Sequence, residues 1–313
     1  MRKMKRLWID SDTASDDAVA ILMALRWPGV HVEGVSIVAG NVPVPLGSRN
    51  ARYTIELCGA DAPVYEGASR PLMREPVWAY FFHGADGMGE MNYPEPKRGP
   101  ASLHGVLAMI EALRRFPGEI TLVTLGPLTN LALALRLAPD IVSLVSHCYI
   151  MGGAAATLGN ITPAAEYNIW VDPEAARIVF HSGLPMTMVG WELCRGEANL
   201  NDAEMAEIRA LNHPLADFVL DCNRQAIRVN REWLHEPGLP LPDPVAMAVA
   251  LDPDVVTRAS SHYVTVEVSS DLTRGMTVVD ERGVLNQPPN LRVVWEIDVR
   301  RWKQDLLDVL RES

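Results

Sequence analysis

Short, near-continuous apolar runs alternate with longer segments whose apolar positions recur every three to four residues. "RLWID" predicts a strand, and "DDAVAILMALRW" a helix directly after it. "VEGVSIVAG" predicts a second strand, and residues 45–58 a second helix. "HGVLAMIEALRRF" is amphipathic, "EITLVTLG" reads as a buried strand, and "PLTNLALALRLA" as a helix entered through Pro127. "VSHCYIMGG" predicts a strand. "DPEAARIVFHSG" predicts a helix with Asp172 as N-cap and Pro173 at its first position, and "PMTMVGW" a further strand.

Strands that read as unbroken apolar runs are buried on both faces. The alternation therefore predicts an α/β protein: a mostly parallel sheet flanked by helices on both faces. Such sheets place ligands at the carboxyl ends of their strands, so the polar residues after "LWI", "IVAG" and "VTLG" are expected in one crevice. Two stretches depart from the alternation. Residues 67–100 are rich in Gly, Pro and aromatics, and residues 223–242 run from a helix into a proline-rich turn. Connections this long are often functional, and both are expected as lid-like insertions in a single domain spanning residues 1–313. No internal repeat or linker divides the chain.

Composition narrows the function classes. A net charge of −11 argues against nucleic acid, which requires a basic face. No apolar run is long enough to span a membrane, and the basic start is not followed by a secretory apolar stretch. The four cysteines, Cys58, Cys148, Cys194 and Cys222, lie far apart with no C-x-x-C pair. That spacing fits a reducing cytoplasm, where the protein is expected.

The candidate chemistry begins in "DSDTASDD", where Asp10, Asp12, Asp16 and Asp17 crowd one strand–helix junction. One or two acids at a helix N-terminus are explained by capping and the helix dipole. Four are not, because converging like charges raise one another's pKa unless a cation lies among them. Oxygen ligands with no neighbouring His or Cys select a hard cation, Ca²⁺ or Mg²⁺. "LPDPVAM" supplies Asp243 ahead of a helical run, "IVAGN" puts Asn41 at a strand end, and "GNITPAAEYNIWVDPEAARIVF" offers Asn160, Glu166 and Asn168. Amides beside a carboxylate suit a polyol such as ribose.

Taken in order, "IDSDTASDDAVAI", "IVAGN", "HGADGMGE", "VTLGPLTNLALAL", "MGGA", "GNITPAAEYNIWVDPEAARIVF" and "PDPVAMAVALDP" resemble the calcium-dependent nucleoside hydrolases of the inosine–uridine-preferring type, over nearly the whole chain. The resemblance implies the Rossmann-like fold of that family and hydrolysis of the N-glycosidic bond of ribonucleosides to ribose and free base, in purine or pyrimidine salvage. It implies Ca²⁺ held by Asp12, Asp17, Asp243 and the backbone carbonyl of Leu125, with Asp12 as general base for the water on the metal. Asp16 and Asn168 would hold the ribose 2′-hydroxyl, Asn41 the ribose or its neighbours, and Asn160 and Glu166 the 5′-hydroxyl. Asp10 would be a supporting acid. The implied partners are a nucleoside and further copies of the chain, as a dimer or tetramer.

Two departures from the family pattern stand out. Thr13 and Ala14 replace the Pro-Gly of the signature, which alters the turn but no ligand oxygen. Pro242 stands where well-known members carry a His that protonates the departing base, and proline cannot donate a proton. Candidates for the leaving-group side are His83 in "FFHGADG" and Trp233 and His235 in "REWLHEPG", with Trp170 and Trp191 behind them. Trp233 and His235 rank ahead of His83 because they precede Asp243 by only a few residues. The alternative is a non-catalytic or weakly active nucleoside-binding protein that has lost this acid. A phosphohydrolase built on the D-x-D start is disfavoured, because Ala14 stands where such enzymes carry Thr or Val.

Overall fold

The computed structural model describes residues 4–233 and 235–311; the basic start Met1–Lys3 lies outside this range. Nine strands form one sheet: β1 (Lys5–Ser11), β2 (Val30–Ile37), β3 (Val64–Glu66), β4 (Ile120–Thr124), β5 (His147–Met151), β6 (Met186–Val189), β7 (Val256–Val266), β8 (Thr277–Asp280) and β9 (Leu291–Ile297). Their order is β3-β2-β1-β4-β5-β6-β9-β7-β8. From β3 to β9 every neighbouring pair is parallel, and β7 and β8 extend that edge in antiparallel fashion.

The chain runs outward from β1 to β2 and β3 on one side, then returns to lay β4 on the other. This reversal splays the connections after β1 and β4 apart and opens a crevice at their carboxyl ends. The expected mostly parallel sheet is therefore present, and its switch point falls at the acidic junction.

The helix after β1, Ser15–Arg26, is buried from Ser15 to Ala24, and the helix Pro242–Leu251 is buried from Asp243 to Leu251. The two pack on each other, and behind them lie Pro214–Asp221 and Val299–Arg311. Helices that are apolar all round belong inside a protein. Their acids, Asp16, Asp17 and Asp243, stand only in the first turns, so burying the helices carries those carboxylates inward. Gly105–Arg115, Thr129–Leu137 and Pro173–Phe180 cover the opposite face.

Two local expectations shift. The helix assigned to "PLTNLALALRLA" begins at Thr129 rather than at Pro127. The strand–helix alternation also gave no account of the last third, which holds β7–β9 and the helices Asp202–Ala210, Pro214–Asp221, Arg224–Glu232 and Val299–Arg311. Strand β7 is polar and half exposed along most of its length, so it lacks the unbroken apolar run that marked the central strands.

Asn130 ties the crevice to the scaffold. Its amide donates to Asp10 Oδ1 at 2.8 Å and to the Ile37 carbonyl at 3.2 Å, and its carbonyl oxygen accepts from Ala68 N at 2.8 Å. A Cβ at Gly67 would lie 2.4 Å from that oxygen, which is why the chain carries no side chain there. One buried side chain thus joins β1, β2 and the start of segment 67–100. Asn130→Ala is expected to lower the unfolding free energy by about 2–3 kcal/mol, because it strands buried polar partners. Urea denaturation checks this, and a change below about 0.5 kcal/mol would contradict it.

Candidate active site

The turn after β1 is fixed by its own side chains. Ser11 Oγ donates to Asp17 Oδ1 at 2.7 Å and accepts from Thr13 N at 3.0 Å, and Ala14 N donates to Asp17 Oδ2 at 2.9 Å. These bonds hold the turn where the family signature has Pro-Gly. Asp12 projects into the switch point. Its Oδ2 accepts from Asn41 N, and its Oδ1 is buried without a hydrogen-bond partner. Glycines let the ends of β2 and β4 approach it: a Cβ at Gly40 would meet Oδ2 at 2.0 Å, and one at Gly126 would meet Oδ1 at 2.8 Å.

Asp16, Asp17 and Asp243 place carboxylate oxygens within 4.8 Å of one another, and Asp16 Oδ1 is also buried and unpartnered. Among the described residues this triad is the cluster able to hold a metal, with Asp12 beside it close enough for the charges to interact. Burial is the largest effect on all four acids. It raises Asp16 and Asp17 to about 6 and drives Asp12 and Asp243 well above the usual carboxylate range, with repulsion from the neighbouring acids adding to the rise in Asp12, Asp17 and Asp243. Asp10, at the end of β1, is raised to about 7 by burial, against hydrogen bonds from Ser36 and Asn130. Orphaned buried oxygens and unmatched charge fit a hard cation ligated by oxygen.

Above this floor lies a cavity of about 260 Å³. Its lining combines polar groups, Asp16, Asn41, Asn160, Glu166 and Asn168, with apolar ones, Val77, Phe81, Phe82, Trp191, Val229 and Pro242. Leu125 and Asp243 also reach the lining. Asn168 Nδ2 donates to the Leu125 carbonyl at 2.7 Å, so that main-chain oxygen is turned toward a side chain of the cavity lining. Glu166 caps the helix Tyr167–Val171, accepting from Asn168 N at 2.8 Å and Ile169 N at 3.3 Å, and from Gly153 N at 2.9 Å. Burial raises its carboxyl to about 7. Asn160 Oδ1 accepts from Tyr167 N at 2.8 Å.

Of the three leaving-group candidates only His83 lines the cavity. It is buried, with Nδ1 2.8 Å from Ser15 Oγ and 3.8 Å from Asp16 Oδ1, and burial lowers its pKa to about 4. Trp233 is 66% exposed and stands edge-on to Phe81 at 5.3 Å, outside the lining. His235 is exposed in a left-handed turn. Nearness in sequence to Asp243 does not translate into space: Trp233 and His235 stand exposed where the helix Arg224–Glu232 ends, and the chain turns inward only afterwards, with Leu239 and Leu241 buried and Pro240 on the cavity wall. Trp191 forms part of the wall, whereas Trp170 lies under Arg274 at 4.1 Å.

Sequence reasoning passed over Tyr167. Its hydroxyl lies 2.8 Å from the Gly40 carbonyl and 2.7 Å from the Val77 carbonyl, joining the strand end that carries Asn41 to segment 67–100. A tyrosine between Glu166 and Asn168 carries no periodic or motif signal for such a contact. Ser15, which holds His83, was hidden in the same way among the acids.

Residues 7–304 match the family described as inosine-uridine preferring nucleoside hydrolase. The chain belongs to this family. It is 38% identical over 307 residues to the pyrimidine-specific ribonucleoside hydrolase RihA of Salmonella enteritidis, covering 97% of this chain and 96% of that one. The structure resembles the plant nucleoside hydrolase PpNRh1 with a TM-score of 0.93 and 31% identity, over 99% of this chain and 100% of the other. It also resembles the purine-preferring ribonucleoside hydrolase of Gardnerella vaginalis, with a TM-score of 0.90 and 32% identity over 98% of each chain. The nucleoside hydrolase is thus an N-glycosyl hydrolase, and the nine-stranded fold is that of its structural neighbours.

The raised pKa values make the cation-free enzyme sensitive to pH. Asp16 and Asp17 bind protons more tightly folded than unfolded, so their contribution to stability falls as pH rises from about 4 to about 6. A divalent cation bound among these acids would replace those protons. Its stabilising effect is expected to be small at pH 4.5 and large at pH 7.5, read as the rise in Tm on adding the ion; equal rises at both values would contradict this.

Proposed function

We propose that this nucleoside hydrolase releases ribose and a free base from ribonucleosides in a Ca²⁺-dependent reaction with Asp12 as general base. The observation that supports this most strongly is the cluster of buried carboxylates, with unpartnered oxygens on Asp12 and Asp16, at a cavity lined by both polar and apolar side chains. Asp12, Asp17, Asp243 and the Leu125 carbonyl would hold the ion, and Asp16 lies within reach of the same centre. A bound Ca²⁺ would lower the pKa of water in the site and help orient the ribose.

The chain's own residues carry the remaining work. Asp16 and Asn168 would hold the 2′-hydroxyl, Asn41 the ribose beside it, and Asn160 and Glu166 the 5′-hydroxyl, leaving the base to the apolar side chains of the lining. As the C1′–N bond breaks, its electron pair leaves with the base and positive charge grows on the sugar. The surrounding carboxylates stabilise that charge without reorganising. A water at the floor attacks C1′ and gives its proton to Asp12. Attack from one face is a single displacement, with inversion at C1′.

His83 is the group placed to assist the departing base. Its ring is neutral, and the tautomer in which the Ser15 hydroxyl donates to Nδ1 is the one that carries the proton on Nε2. Pro242, in the same wall, supplies shape alone. Segments 67–100 and 223–242 would act as lids. They meet where Gln225 donates to the Phe81 carbonyl at 3.2 Å and where Phe81 packs on Trp233. A cytoplasmic homo-oligomer completes the proposal, and among the described residues no helix is long and apolar enough to cross a membrane.

Reducing sugar released from uridine and inosine, with and without Ca²⁺ after chelation, tests the reading. Activity is expected to vanish on stripping, to return with Ca²⁺, and to fall about 10²- to 10⁴-fold in Asp12→Asn. Binding of uridine without sugar release would favour the non-catalytic alternative. In the same assay His83→Ala is expected to lower kcat by about tenfold or more, against about threefold or less for Trp233→Ala and His235→Ala. Equal effects in all three would remove His83 from its assigned role.

A further inference from the structure

The segment 191–200, which follows β6, runs between two loops that wall the cavity. On one side lies the loop 154–165, carrying Asn160 and Ile161. Trp191 N donates to the Gly153 carbonyl at 2.9 Å, and Glu192 Oε1 accepts from Ala155 N and Ala156 N, both at 3.1 Å. On the other side lies 235–241, which leads into Pro242 and Asp243. Asn199 Nδ2 donates to the Pro237 carbonyl at 3.0 Å, and Leu200 and Leu239 exchange backbone hydrogen bonds at 3.0 and 2.9 Å.

One side chain in this segment reaches both loops. Arg195 donates from one terminal nitrogen to Thr157 Oγ1 at 3.2 Å and from the other to the Glu236 carboxylate. Its guanidinium lies 5.9 Å from the centre of the Trp191 ring, itself part of the cavity wall. Among the described residues, the other hydrogen bonds of residues 157–165 stay within 157–167. Arg195 is therefore the hydrogen-bonded tie of that stretch to residues beyond 167.

We infer that Arg195 is a positioning residue: it fixes the spacing between the wall that receives the 5′-hydroxyl and the wall that runs into Asp243. The assignment of the first wall rests on the ribose reading proposed above. Both contacts are partly exposed, with Arg195 and Glu236 side chains 34% and 32% accessible, so neither adds much stability by itself. Their effect is geometric. The planar guanidinium offers nitrogens in a fixed fork and spans two acceptors at once, which a lysine ammonium cannot reproduce. A wall set back from the 5′-hydroxyl gives up binding that is equal in ground and transition states, so the loss falls on KM rather than on kcat.

The test combines hydrogen–deuterium exchange with kinetics on uridine and 5′-deoxyuridine in Ca²⁺. Arg195→Met and Arg195→Lys are expected to speed exchange in 154–165 and 235–241 together while leaving β1 and β4 unchanged. Thr157→Val should loosen only the first loop and Glu236→Gln only the second; these milder variants keep the test open if Arg195→Met fails to fold. KM for uridine should rise about tenfold with kcat within about threefold, and KM for 5′-deoxyuridine should stay within about twofold. Faster exchange in one loop or in neither on replacing Arg195, or an equal loss on both substrates, would overturn the assignment. If the wild-type enzyme releases no sugar from uridine, the ribose reading fails, and the exchange data still decide whether Arg195 couples the two walls.

Discussion

Everything at this site follows from the repulsion among carboxylates that the fold does not allow to reach water. Asp12, Asp16, Asp17 and Asp243 share one floor, each fully buried or nearly so, and their pKa values are raised in consequence. A protein keeps such an arrangement only with protons or a cation to neutralise it. At neutral pH the protons are the weaker neutraliser for Asp16 and Asp17, whose values lie near 6. The cluster is thus a demand for positive charge built into the scaffold. The proposed reaction, which develops positive charge on a sugar, would take place beside it.

The scaffold meets the cost of that repulsion with apolar burial. The helices Ser15–Arg26 and Pro242–Leu251 are apolar along nearly their whole length and pack against each other, which drives their acidic first turns together. The sheet reversal between β1 and β4 supplies the opening, and Gly40 and Gly126 allow main chain to close around Asp12. Asn130, Tyr167 and Arg195 then fasten successive layers of the crevice: strand ends, segment 67–100 and outer loops.

The parallel sheet and its helices were readable from periodicity because buried parallel strands leave unbroken apolar runs. The cluster of acids was readable because four carboxylates exceed what helix capping explains, and Asp243 joined them through the family resemblance rather than through spacing. What could not be read were contacts set by packing across long sequence separations. Trp233 and His235 looked near the centre by numbering, yet both stand exposed at the end of the helix Arg224–Glu232, while His83, far away in sequence, lies against Ser15 and Asp16. Tyr167 and Arg195 have no periodic signature, since a hydroxyl shared by two carbonyls and a guanidinium joining two loops appear only once the chain is folded. The antiparallel edge of β7 and β8 was lost for the opposite reason: half-exposed strands carry too few apolar positions to stand out.

The central claim is that these carboxylates form the seat of a cation that exchanges with protons. Titrating the metal-free enzyme with Ca²⁺ in a calorimeter at pH 6, in buffers of different ionisation enthalpy, tests it most directly. The account predicts one Ca²⁺ bound per chain with release of protons, and loss of both in Asp243→Asn. Binding without proton release, or no binding at millimolar Ca²⁺, would contradict it.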